Sequence, residues 1–189
     1  FRLDYYSQTP WPGRGASPRE NMELVYEVCL NYAQKFGRFY FKNLFLSGAP
    51  GLGKTFLSAC IARTVSENGH SVVYDTAGNV FAQFEARKFL RDSDDGREAR
   101  DETRRYLGCD LLILDDLGSE LTTQFTQSAL YELINGRLVG GKRTVISFNL
   151  SMEEAAVRYS PQIASRLHGD FQRLTFVGND IRVLKNRGL

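Results

Sequence analysis

The run Gly48-Ala-Pro-Gly-Leu-Gly-Lys-Thr55 constrains this chain more than any other stretch. It has the spacing G-x-x-x-x-G-K-[ST]. It follows the short apolar run Asn43-Leu-Phe-Leu-Ser47 and leads into the helix-forming segment Phe56-Leu-Ser-Ala-Cys-Ile-Ala-Arg63. Strand, glycine-rich loop and helix in that order make a phosphate cradle. The glycines let the backbone curl, so that successive N–H groups converge on a phosphate chain. The helix N-terminus adds positive potential. Lys54 is expected to reach the β- and γ-phosphates, and the Thr55 hydroxyl to ligate Mg²⁺. The expected ATP-binding set is Gly48, Ala49, Pro50, Gly51, Leu52, Gly53, Lys54, Thr55 and Phe56. The bland alternative is a glycine-rich turn ahead of an ordinary helix, and the Lys-Thr pair with its flanks argues against it.

Length and charge narrow the rest. The 189 residues suffice for one α/β domain with a substantial core. Net charge is only +2, so any DNA contact has to come from a local patch. Cys29, Cys60 and Cys109 stand alone in apolar segments without C-x-x-C spacing. That argues against a disulfide framework or zinc site, and for buried thiols in a reducing, cytoplasmic setting. No apolar run approaches the roughly 18 residues of a membrane span, and no signal peptide is visible. The first residue is Phe1 rather than Met, as in a fragment.

Taken in order, residues 1–17 form an irregular arm with aromatic anchors (Tyr5, Tyr6, Trp11), and 18–189 form the domain. Ser17-Pro18-Arg19-Glu20 reads as a capping box with proline at the first helical position, opening a helix that ends near Gly37. Strands are expected at Asn43–Ser47, Ser71–Ala77, Asp110–Leu114, Arg143–Phe148 and Arg173–Gly178. Helices are expected from the phosphate loop to about Glu67, from about Asn79 to Leu90, from Arg97 to about Tyr106, and from Leu121 to Val139. Two short ones follow, one capped by Ser151 and one begun by Pro161. Asp92-Ser-Asp-Asp-Gly96 reads as a polar loop. Strands alternating with helices imply a parallel sheet covered on both faces.

Leu111-Leu-Ile-Leu-Asp-Asp116 supplies the second half of a nucleotide site. An acid at the carboxyl end of a buried strand places Asp115 beside Thr55 and the metal. Asp116 comes next and is the candidate for polarising the attacking water. Asn149, directly after the fourth strand, either orients that water or caps a turn. Arg166 is either an arginine finger acting on a neighbouring subunit's phosphates or a surface arginine in an ion pair. Arg182 either contacts phosphates within its own subunit or is likewise a surface charge.

Together these residues resemble the AAA+ ATPases of the DnaC/DnaI/IstB type, the bacterial helicase loaders and transposition helpers. The carriers are residues 48–55, Leu-Leu-Ile-Leu-Asp-Asp-Leu-Gly at 111–118, Ser-Phe-Asn-Leu-Ser at 147–151, Ser-Arg-Leu at 165–167 and Gly-Asn-Asp-Ile-Arg at 178–182. The resemblance implies a five-stranded parallel sheet in the order 5-1-4-3-2 without a helical lid domain. It makes Asn149 sensor 1, Arg166 the finger in trans and Arg182 the sensor-2 residue. It also makes the segment between the second and third strands an initiator-type insertion able to touch single-stranded DNA. There Phe84, Arg87, Lys88 and Arg91 are the candidates, unless Phe81, Phe84 and Phe89 simply pack the helix onto the sheet.

The leading expectation is a slow, assembly-stimulated ATPase that self-associates through its ATP site and helps place a replicative helicase on single-stranded DNA. In such loaders the helicase-binding part usually precedes the ATPase domain. The alternative is an IstB-like transposition helper acting on duplex DNA. A small-molecule P-loop kinase fits less well, because neither an acceptor pocket nor a basic lid is visible. A nucleotide-binding module with negligible turnover is the fourth reading.

Overall fold

The computed structural model describes residues 1–11, 15–90, 93–149 and 152–186. Five parallel strands form one sheet: β1 (Leu44–Ser47), β2 (Val72–Thr76), β3 (Leu111–Leu117), β4 (Arg143–Phe148) and β5 (Gln172–Thr175). The order across the sheet is β2-β3-β4-β1-β5, which is the expected 5-1-4-3-2 read from the other edge. Helices α1 (Pro18–Gln34) and α2 (Lys54–Glu67) cover one face. The other is covered by α3 (Ala77–Phe89), α4 (Asp94–Gly108), α5 (Gln124–Val139), α6 (Met152–Arg158) and α7 (Pro161–Gly169). A short α8 (Ile181–Asn186) follows β5.

The period-2 alternation of strand side chains divides the core. Leu44, Leu46, Leu111, Ile113 and Val145 face α1 and α2, where they meet Met22, Val25, Leu57 and Ile61. Phe45, Leu112, Leu114, Ile146 and Phe148 face the opposite layer, where they meet Phe81, Phe84, Leu130 and Leu133. No residue of β1 reaches solvent.

The Ser17–Glu20 capping box forms as expected. The Ser17 N–H donates to Glu20 Oε2 at 2.7 Å, and the Glu20 N–H donates to Ser17 Oγ at 3.2 Å. The polar run 92–96 is not all loop. Ser93 accepts from the Gly96 N–H at 3.1 Å and caps α4, whose first turn holds Asp94 and Asp95. Two carboxylates at a helix N-terminus are favourable, which outweighs the loop-like composition. The expected Ser151 cap lies outside the described residues. β5 stops at Thr175, short of Gly178, and Cys60 is exposed rather than buried. Among the described residues no helix is long and apolar enough to cross a membrane.

Candidate nucleotide site

At the carboxyl ends of the strands the loop 48–53 wraps around the start of α2. Two glycines there admit no side chain. Gly48 has φ 144°, and a Cβ would lie 2.4 Å from the Phe176 carbonyl oxygen. Gly51 has φ 77°, and a Cβ would sit 2.0 Å from Asp180 Oδ1. The second contact arises because the loop before α8 closes onto the phosphate loop, with the Ile181 N–H donating to the Gly51 carbonyl at 3.0 Å.

Lys54 is only 5% exposed. Its Nζ donates to the Gly48 and Ala49 carbonyls, at 2.6 and 2.8 Å. Burial brings its pKa down to about 8, against the opposing pull of Asp115 and Asp116. A buried cation held only by loop carbonyls, beside a ring of glycine N–H groups, fits a polyphosphate.

Asp115 is equally buried and takes every donor in reach. Oδ1 accepts from Ser147 Oγ, from the Asp116 N–H at 3.0 Å and from Thr55 Oγ1 at 3.4 Å. Oδ2 accepts from the Tyr74 hydroxyl at 2.6 Å. A hydroxyl and a carboxylate side by side are hard oxygen donors, the set that suits Mg²⁺ with several retained waters.

Asp116 has φ 58°, the only non-glycine positive φ among the described residues. The β3–β4 register shifts between Leu114 and Leu117, so this is a bulge. Without it Asp116 would point to the sheet face opposite Asp115. With it, Asp116 lines the same cavity as Lys54, and its carboxylate accepts from Asn149 Nδ2. Aspartate tolerates the left-handed conformation better than most residues. The cavity measures about 720 Å³ and also holds Pro50, Gly51, Gly53, Thr55, Phe56 and Arg182.

A family model described as IstB-like ATP binding protein matches residues 38–168. The chain belongs to the IstB-like ATP-binding family. A putative insertion sequence ATP-binding protein, y4pL of Sinorhizobium fredii, is 29% identical over 146 residues, covering 74% of this chain and 56% of that protein. The chain spans about half the length of the curated relatives it matches. Among solved structures, the DnaC helicase loader superposes with TM-score 0.71 at 20% identity, covering 93% of this chain and 96% of that one. AMPPCP-bound DnaA from Aquifex aeolicus also gives TM-score 0.71, at 22% identity, over 89% of this chain and 51% of that one. The fold is therefore the AAA+ P-loop fold.

In this IstB-like protein Arg182 lines the nucleotide cavity, paired with Asp180 at 3.1 Å. Arg166 does not line it. It sits in a separate groove with Tyr40, Lys42 and Gln172, beside the amino ends of β1 and β5. There it bonds Asn135 Oδ1 at 2.9 Å and lies 3.6 Å from Asp170.

The DNA candidates divide. Phe84 is buried in the core, so it cannot stack on a base, and packing wins over the exposed role because its helical stripe faces the sheet. The Arg87 guanidinium is held by both Glu132 oxygens at 2.8 Å and lies over the Phe84 ring. Lys88 sits over Phe89 and Phe125, and Phe89 is 64% exposed. Arg91 lies outside the described residues. Of the expected loop set, Gly48, Ala49 and Leu52 do not line the cavity, and the Leu52 side chain is buried.

Sequence reasoning missed the far wall of the cavity. Phe1 and Tyr5 from the arm, and Ile181 and Lys185 from α8, close it. Phe1 stacks on Tyr26 with ring centroids 5.6 Å apart, and the buried Tyr6 hydroxyl donates to the Leu52 carbonyl at 2.8 Å. Aromatic density in an otherwise irregular arm was the available signal.

Proposed function

We propose that this IstB-like domain is a slow ATPase that assembles through its nucleotide site and serves a replicative helicase on single-stranded DNA. The observation that carries the assembly reading is the distance in the fold between Arg166 and the cavity. Lys54, Thr55, Asp116, Asn149 and Arg182 share one end of the sheet, while Arg166 projects from a groove beside the amino ends of β1 and β5. An arginine there does not line its own chain's cavity, which supports service to the site of a second copy.

Bound Mg²⁺–ATP supplies the electrophilic phosphorus and neutralises phosphate charge. Thr55 and Asp115 are the residues that would hold the metal. Lys54 exchanges its carbonyl partners for phosphate oxygens. Asp116 takes a proton from the attacking water, and Asn149 orients that water once its amide leaves Asp116. Arg166 from the neighbour stabilises the charge that develops. For DNA, Lys88 and the exposed Phe89 offer a cation and a stacking surface.

The test mixes Arg166→Ala protein with Lys54→Ala protein. Neither is expected to hydrolyse ATP alone, and the mixture is expected to recover activity, because one copy keeps the site and the other keeps the finger. Full hydrolysis by dilute monomer overturns the shared site. A second reading, a transposition helper on duplex DNA, is favoured by the match to an insertion sequence ATP-binding protein. Pull-down with a helicase against a transposase separates the two, as do single- and double-stranded DNA affinities across a salt series.

A further inference from the structure

Tyr74 belongs to no part of the nucleotide-binding motif. It lies on edge strand β2, opposite Ile113 of β3, and is 38% exposed. Because alternate residues share a face, Tyr74 and Asp115 both point towards α2, and a tyrosine is long enough to reach two residues further along the neighbouring strand. Ser147 of β4 lies on the same face, on the far side of Asp115. The three strands thus present Tyr74, Asp115 and Ser147 as a row beneath Thr55, the second residue of α2.

The two oxygens of Asp115 are divided between these neighbours. Oδ1 is held by Ser147 Oγ, the Asp116 N–H and Thr55 Oγ1. Oδ2 has one protein donor among the described residues, the Tyr74 hydroxyl at 2.6 Å. Rotation of the carboxylate about its Cβ–Cγ bond is therefore opposed from both sides, and among the described residues Tyr74 alone donates to Oδ2. The Tyr74 ring is partly open to solvent, while the carboxylate its hydroxyl meets is buried.

We infer that Tyr74 is a positioning residue for the divalent cation: its hydroxyl fixes the Asp115 carboxylate in the rotamer that meets the metal beside Thr55. This rests on the nucleotide reading above. Metal sites depend on the groups that hold their ligands in place, and losing such a group costs about 10- to 100-fold in metal affinity.

The experiment uses Tyr74→Phe, which removes one oxygen and keeps the ring. Binding of a fluorescent ADP analogue is measured in EDTA and then across a Mg²⁺ titration, with Mn²⁺ binding followed separately by electron paramagnetic resonance. Thermal unfolding of the nucleotide-free protein is the control. The expected result is unchanged affinity in EDTA and Mg²⁺ and Mn²⁺ midpoints raised about tenfold, with the unfolding temperature lowered by no more than the loss of one hydrogen bond to a buried carboxylate. A residue that merely supports the fold would weaken binding in EDTA as well, and that outcome overturns the inference. So does a metal midpoint equal to that of the wild type. If the wild-type chain binds no analogue under either condition, the nucleotide reading itself fails and the inference falls with it. Asp115→Asn, expected to raise the midpoint at least as far, shows that the titration reports on this carboxylate.

Discussion

Among the described residues two cations are buried, Lys54 and Arg137, and they are held in opposite ways. Arg137 of α5 is fully buried, and each of its three nitrogens donates to a protein acceptor. Its Nε donates to Thr144 Oγ1 at 2.9 Å, Nη1 to the carbonyls of Tyr106 and Cys109, and Nη2 to the carbonyl of Arg143. These acceptors belong to the end of α4, the turn before β3 and the start of β4, so the guanidinium ties three segments together. Lys54 has two partners, both carbonyls of the loop it must leave to bind phosphate. One cation is committed to acceptors of three packed segments. The other is desolvated and borrows its hydrogen bonds. Burial alone does not mark a functional charge; incomplete, replaceable partnering does.

The sharpest way to break this contrast is to remove each cation. Arg137→Met should cost about 4 kcal/mol, because four acceptors, three of them buried, lose their donors together and only part is regained by removing a buried charge. Urea unfolding measures it, and stability equal to wild type would show that Arg137 is not the tie it resembles. Lys54→Met should do the reverse. Nucleotide-free stability should hold or rise, since Gly48 is partly exposed and Ala49 exposed, so that their carbonyls can take water. Affinity for an ATP analogue, read by fluorescence titration, should fall by about 100-fold or more, the loss of a charge-assisted contact to phosphate.

The same contrast shows what the sequence carried. Lys54 was legible because the phosphate loop has a fixed spacing whose every member has a physical task. Asp115 and Asp116 were legible as a pair, but the bulge that turns Asp116 towards its neighbour was not, because a register shift is a property of two strands. Arg137 was open to reading and passed over. It falls on the Leu130, Leu133, Ile134 stripe of α5, a place where a charge needs buried partners. Those partners are mostly backbone carbonyls, which no side-chain pattern announces. Tyr74 lay in a strand read correctly, yet its bond to Asp115 follows only from the parallel register. The arm that walls the cavity has no periodicity at all, so only packing could place Phe1 and Tyr5.

pH sharpens the comparison next. The Lys54 pKa falls from the ordinary 10.5 to about 8 in the folded chain. Between those values the unfolded chain binds more protons than the folded one, so this residue makes stability rise with pH across that window. Below about pH 8 both states carry the proton and the burial cost is constant. The wild type minus Lys54→Met difference in unfolding free energy should therefore climb from pH 8 to 10.5 in the wild type's favour. Nucleotide affinity should move the other way and weaken above about pH 8, as the free protein loses the charge that phosphate needs. Isothermal titration across that range reads it, and a flat profile would mean that Lys54 is better solvated than its carbonyl contacts imply.

The smallest effect concerns Cys109, whose Sγ lies 3.3 Å from Arg137 Nη1. If the thiol were a true partner of the guanidinium, Cys109→Ala would approach the cost of Arg137→Met. The Cys109 carbonyl accepts from the same nitrogen at 3.2 Å, and the substitution leaves that carbonyl in place. A cost of about 1 kcal/mol is expected, the loss of one small buried atom group. A double-mutant cycle of Cys109→Ala with Arg137→Met should then show coupling below about 0.5 kcal/mol. Larger coupling would place part of the tie on sulfur, where oxidation could loosen the junction between α4, β3 and α5. Small coupling leaves it on the backbone carbonyls and the Thr144 hydroxyl, and of these substitution can remove only the hydroxyl.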